Sequence, residues 1–186
     1  MNEVQPLKSK RDIARMKKAL HGRDLLLFTI GINTALRISD ILQLKVGDFD
    51  GDYLVVKERK TGKARRIRVN KSVKQAIRKL TPADAKPSDW LFPSRKGNPD
   101  GTSRPVSRVQ AWRILNAAAD RAGVDVAFGT HSLRKTFAYH AYKSGVDIAL
   151  LMRLLNHASQ RETLRYIGIE QETVEDVYLY VCLEQP

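Results

Sequence analysis

Residues 24–36 carry Leu25, Leu26, Leu27, Phe28, Ile30 and Ile32, and the apolar run stops abruptly before Arg37. A stretch this apolar must be buried nearly all round, so it is expected to be the central helix of a compact core. It is too polar afterwards to be membranous. The chain has 186 residues, enough to enclose one such core and too few for a second full domain, so residues 1–186 are expected to be a single domain.

The flanking segments read mainly as helices. Residues 9–20 open with Ser9-Lys-Arg-Asp12, a start like a capping box with Asp in the Glu position, and continue with Ile13, Met16 and Leu20 until His21-Gly22 ends the helix. A short helix is expected over 38–44. The period then drops to two over 53–57 and 66–69, with Lys60-Thr61-Gly62-Lys63 as a hairpin turn between them. In the second strand Ile67 and Val69 face one way and Arg66 and Arg68 the other, giving one apolar and one basic face. Residues 71–80 read as an amphipathic helix, and 81–105 as an internal loop rich in Pro and Gly, anchored by Trp90-Leu91-Phe92. Further helices are expected over 107–122, 131–144, 147–155, 161–167 and 173–182. The fold class is therefore α+β, mainly helical, with a small antiparallel β-sheet.

Composition narrows the partner. Lysine and arginine number 33 against 20 acidic residues, a formal net charge of +13. Nucleic acid rewards such a field through phosphate contacts and counterion release. A ribosomal or membrane surface would use the same charge, but the sequence has no basic tail free of apolar residues and no apolar stretch of bilayer length. The start Met1-Asn2-Glu3-Val4 does not read as a signal peptide. The lone Cys182 forms no disulfide within the chain, and with four scattered histidines it makes no zinc-ligand cluster. An intracellular protein with no metal and no cofactor is expected.

Several polar groups sit where chemistry would need them, though each alone has a plainer explanation. His131-Ser-Leu-Arg134 puts an imidazole and a guanidinium on one helix face, which by itself describes an ordinary solvated pair. Arg37 follows the apolar run, where an unpaired charge is costly, and Asp40 one turn on is expected to orient its guanidinium. Leu154-Leu-Asn-His157 ends an apolar helix. Tyr166 lies in Glu162-Thr-Leu-Arg-Tyr-Ile-Gly168, and a tyrosine beside Ile167 is commonly a half-buried core residue.

Taken in order, Arg37, Lys60, His131, Arg134, His157 and Tyr166 resemble the tyrosine recombinase (phage integrase) family over nearly the whole chain. The resemblance rests on Thr34-Ala-Leu-Arg37-Ile-Ser-Asp40, the lysine hairpin, His131-x-x-Arg134, Leu155-Asn-His157 with Thr163, and Tyr166, all in family order and near family spacing. It implies a helical bundle like that family's catalytic domain. It implies double-stranded DNA as the partner, cut and rejoined by a site-specific recombinase in the cytoplasm of a bacterial or phage-infected cell.

In such an enzyme Arg37 and Arg134 would clamp the scissile phosphate with planar paired donors. Tyr166 would attack phosphorus, giving a 3′-phosphotyrosyl link and a free 5′-hydroxyl without ATP. A phenol with a pKa of about 10 needs a base or nearby positive charge for that attack. His131 is the expected proton acceptor, His157 would bond the phosphate or assist, and Lys60 would protonate the departing 5′ oxygen. Lys57 and Lys63 are neighbouring rivals for the acid, and only family alignment selects Lys60. Lys63, Arg66 and Arg68 are expected to bind the DNA backbone.

Asp40 stands where the family often has Glu, and Ala35 and Asn156 stand where it often has Gly. Family members usually carry a separate helical domain ahead of the catalytic one. Its absence implies either an excised fragment or a minimal recombinase that closes on DNA as a homo-oligomer, expected to be a tetramer there, with a monomer in free solution as the alternative. The stripe Val174, Val177, Tyr178 and Val181 in the tail 170–186 would dock on a neighbouring protomer or on its own domain. Tyr166 is expected to be displaced in the free protein. Two other readings use the same residues differently: a type IB topoisomerase, which relaxes supercoils without exchanging partners, and a noncatalytic DNA-binding protein, which would not need Tyr166.

Overall fold

The computed structural model describes residues 4–60 and 62–169. The tail 170–186 and the helix expected over 173–182 lie outside the described residues.

Ser9 Oγ accepts a hydrogen bond from Arg11 N and starts α1 (Lys10–Ala19). Asp12 pairs with Arg15 at 3.4 Å instead of closing a reciprocal box. Gly22, at φ 49°, opens the next helix rather than simply ending the first. That helix, α2 (Gly22–Thr34), is the apolar segment, and it buries Leu26, Leu27, Phe28 and Ile30. α3 (Ile38–Ile41) is shorter than expected because the polar backbone beyond it is taken by the internal loop. Leu91 N donates to Leu44 O at 2.9 Å and Val46 N to Asp89 O at 3.0 Å, so the chain makes a 3-10 turn at Val46–Phe49 instead.

β1 (Tyr53–Lys57) and β2 (Ala64–Arg68) pair antiparallel, with Tyr53 opposite Arg68 and Lys57 opposite Ala64. Leu54 and Val56 point into the core. Asn70 caps α4 (Lys71–Leu80) by accepting from Val73 N at 3.0 Å. Between α4 and α5 (Arg108–Ala122) the loop is pinned by its expected anchor: Leu91 and Phe92 are buried, while Trp90 is half-buried under Lys45. α6 (Thr130–Lys143), α7 (Ile148–Leu155) and α8 (Gln160–Ile167) complete the described chain. The result is a mainly helical α+β domain, and among the described residues no helix is long and apolar enough to cross a membrane.

Two apolar clusters divide the interior. The main one joins α1 to α5 and ends on α6 at Leu133, while a small second one gathers Ala138, Leu155 and Ile167 from α6, α7 and α8. Residues 134 and 135 therefore sit at the junction. Ahead of α1 the chain lies along α6: Leu7 N donates to Thr136 Oγ1 at 2.9 Å, His140 Nε2 meets Leu7 O at 2.9 Å, and Lys8 Nζ donates to Gly168 O.

Gly31 lets α2 and α6 approach closely. A Cβ there would stand 2.5 Å from Leu133 Cδ1 and 3.0 Å from Leu133 Cβ. Overpacking of this kind costs about 1–3 kcal/mol, against a helix-propensity gain of about 1 kcal/mol for Gly to Ala. Gly31→Ala is thus expected to lower the melting temperature by a few degrees, about 2–4 °C per kcal/mol in a chain of this size. A variant as stable as the parent in a thermal melt would show that the close approach does not constrain α6.

Candidate active site

Arg134 is the most constrained charge in the molecule's described part that carries a candidate role. It is 4% exposed. Its Nη1 donates to Ala35 O at 2.7 Å, and its Nη2 to Leu155 O at 3.0 Å and Leu154 O at 3.5 Å. These carbonyls lie at the C-terminal ends of α2 and α7, where unpaired C=O groups concentrate negative potential and favour a cation. A guanidinium has five N–H donors, so some remain for an external anion.

The two motif positions where the family often has Gly explain how those carbonyls are presented. Ala35 (φ 54°) and Asn156 (φ 57°) both adopt the left-handed conformation, each ending its helix. Asn tolerates this region better than most residues, and Ala occupies it at some cost. The turn at Ala35 aims Ala35 O at Arg134 and leads the chain into Arg37.

Arg37 is not oriented by Asp40. Arg37 has extended backbone angles (φ −72°, ψ 147°) ahead of α3, so its side chain does not run along the face that Asp40 occupies. Its Nη1 instead donates to Glu58 Oε2 at 2.9 Å, and the other oxygen of Glu58 accepts from Arg65 Nη1 at 3.0 Å. Glu58 is buried, so this bridge fixes two guanidinium groups from two different elements. Asp40, also buried, accepts from Arg59 N at 3.0 Å and ties α3 to the hairpin, while its Oδ2 meets no donor among the described residues.

Tyr166 is docked against the cluster, where displacement had been expected. Its ring makes an edge contact with His157, centroids 4.9 Å apart, and packs on the second apolar cluster. Gly168, at φ 68°, caps α8. Burial raises the phenol above its ordinary pKa, more than Arg134 and Arg37 pull it down. The free site thus holds the tyrosine protonated.

His157 Nδ1 lies 3.1 Å from Thr163 Oγ1, whose own hydroxyl donates to Ser159 O at 3.2 Å. That assignment makes Nδ1 the donor and leaves Nε2 as an acceptor in the neutral ring. Desolvation lowers the pKa of His157, Glu162 opposes the drop, and Arg134 and Arg37 add to it. His131, at the start of α6, is also lowered, by desolvation and then by Arg108, Arg134, Lys135 and Arg37. Both imidazoles are neutral at pH values above 6.5, their ordinary pKa.

Lys60, exposed at the hairpin tip, lines an open groove of about 670 Å³ together with Arg37, Arg59, Arg108 and His131. Lys63 reaches Asn156 Oδ1 at 3.5 Å, so the hairpin tip also meets the turn that carries His157. Arg66 and Arg68 point to the opposite face of the sheet from Arg65. Arg66 stacks on Tyr53 at 3.7 Å, and neither residue joins the cluster.

Glu58, Arg65, Arg108 and Lys135 were not singled out from sequence. Glu58 had a signal, because it continues the inward phase of Leu54 and Val56 in β1, and an acid in a core-facing phase needs partners. Arg65 shares the phase of Ile67 in the same way. Lys135 gave none, since its burial depends on three helices meeting.

The fold and this cluster together define the catalytic domain of a tyrosine recombinase. Residues 7–172 match the Phage integrase family, and the chain belongs to it. It is 46% identical over 182 residues to a Bacillus subtilis (strain 168) protein named "Probable integrase/recombinase YoeC", covering 96% of this chain and 97% of that one. It is 31% identical over 157 residues to tyrosine recombinase XerA of Pyrococcus furiosus, covering 83% of this chain and 53% of XerA, so it spans about half the length of that relative. The crystal structure of XerA recombinase superposes with a TM-score of 0.71 at 22% identity, covering 97% of this chain and 66% of that one. The Tn1549 transposon integrase in complex with transposon right end DNA gives 0.74 at 17% identity, with the same coverage of 97% and 66%. These two likenesses are of fold.

Proposed function

We propose that this domain performs site-specific recombination, cutting and rejoining double-stranded DNA through a 3′-phosphotyrosyl intermediate. The observation that carries the reading is the packing of Tyr166 against His157 with Arg134 and Arg37 both acting on its phenol. In the cleavage step Tyr166 Oη forms a bond to phosphorus while the bond from phosphorus to the 5′ oxygen breaks. The phenolic proton passes to a neutral imidazole, and Lys60 supplies a proton to the departing 5′ oxygen. Arg37 and Arg134 stabilise the charge that builds on the nonbridging oxygens. The phosphotyrosyl ester retains the energy of the broken bond, so religation by a 5′-hydroxyl needs no ATP.

His157 is better placed than His131 to receive the phenolic proton, because its ring touches Tyr166 and its Nε2 is the acceptor. His131 lines the groove with Arg37 and Lys60 and suits the phosphate. The DNA contacts of Lys63 belong to the hairpin tip beside the reacting groups, and those of Arg66 and Arg68 to flanking backbone. Assembly on DNA as a homo-oligomer, a tetramer, would pair the strands for exchange.

A supercoiled plasmid carrying two copies of the recombination site tests the proposal: exchanged products are expected. Relaxation without exchange would leave only the topoisomerase half of the scheme. On the acid side, the single-turnover cleavage rate is expected to be level from neutral pH down to 6.5 and to fall only below that value, since both candidate bases are shifted down from it. A midpoint above 6.5 would rule out either histidine, in the environment described, as the proton acceptor.

A further inference from the structure

The nucleophile's ring carries on its face a cation that the scheme above does not use. Lys135 Nζ lies 5.0 Å from the centre of the Tyr166 ring. Lysines are almost never fully buried, and their heads usually extend toward water. Lys135 is 4% exposed, at the junction of the two apolar clusters, with its head turned to Tyr166.

We propose that Lys135 is a positioning residue for the nucleophile: its ammonium holds the Tyr166 ring in place and favours the phenoxide as the proton leaves. This rests on the reading of Tyr166 as the attacking group. A neutral aromatic face attracts a cation within about 6 Å through its quadrupole. On deprotonation the negative charge spreads from the oxygen into the ring carbons, so the attraction grows, and burial keeps water from screening it. An interaction stronger in the charged state than in the neutral one speeds the step instead of merely tightening binding.

Among the described residues, the other charged or titratable groups acting on Tyr166 are Arg134 on α6, Arg37 ahead of α3 and His157 beyond α7. Once a phosphate is bound, its charge offsets the field of the two arginines at the phenol. His157 is neutral. Lys135 lies over the ring itself, 5.0 Å from its centre, and so acts on Tyr166 from the ring face.

The test is an NMR titration of the DNA-free protein labelled with ¹³Cζ-tyrosine, with the Tyr166 signal identified by its loss in Tyr166→Phe. Lys135→Met is expected to raise the Tyr166 pKa by about one unit, which is tenfold less phenoxide at a given alkaline pH. Lys135→Arg keeps the charge and is expected to hold the pKa near that of the parent. In the unaltered chain the Lys135 ε-methylene signals should lie upfield under the ring and move again as Tyr166 ionises. An unchanged titration in Lys135→Met, or ε-methylene signals indifferent to Tyr166, overturns the proposal. Because no DNA is involved, the result stands apart from covalent trapping: an unaltered chain that forms no adduct removes the nucleophile role, and an unmoved titration removes Lys135.

Discussion

With Tyr166 replaced by Phe, the chain is expected to fold as before, to bind DNA as before, and to form no covalent adduct. The ring supplies the edge contact to His157 and the packing on Ile167 and Leu155, and Phe retains both. Only the hydroxyl is lost, worth about 1 kcal/mol as a hydrogen bond, so the melting temperature should move by a few degrees at most. The chemistry, by contrast, has no substitute atom, and trapping on a nicked duplex followed by a denaturing gel should show no shifted band. A persisting adduct would transfer the role to another phenol. Tyr139 and Tyr142 pack on the same small cluster and would be next to replace.

Arg134→Lys is expected to fail in both stability and activity. The arginine bridges Ala35 O and Leu155 O, which belong to different helices, and a single ammonium cannot reproduce that fork. Each buried carbonyl left bare costs about 1–3 kcal/mol. A total near 3 kcal/mol would lower the melting temperature by roughly 6–12 °C in a domain of this size. Cleavage, measured at a temperature where both proteins are folded, should drop by about 10²–10³-fold, the usual effect of removing one donor to a developing oxyanion. A lysine variant that melts with the parent would show that the carbonyl bridge is not structural.

Elements with strong local signals are legible in the sequence alone. α4 and β1 have the bounds that their periodicity predicts, 71–80 and 53–57. The loop anchor at Leu91 and Phe92 is buried as its composition predicts. Asp40 does not orient Arg37 because each is taken by another group that no local spacing reveals, Arg37 by Glu58 and Asp40 by Arg59 N. The docking of Tyr166 was hidden for a different reason. Its place depends on α6, α7 and α8 meeting around a small cluster, which no single segment encodes. The path of residues 4–8 along α6 was equally unreadable, since Leu7 lies outside any periodic run.

That path turns the segment before α1 into a tether with fixed points. Leu7 is fastened at both its N–H and its carbonyl to α6, the helix that carries Arg134, and Lys8 is fastened to the last turn beneath Tyr166. Tension applied ahead of residue 4 is therefore delivered to the phosphate clamp and the nucleophile together. Anything fused there, such as an affinity handle or a surface attachment, acts as a lever on the reacting groups, and single-molecule pulling from that end would read out the stiffness of the active site itself.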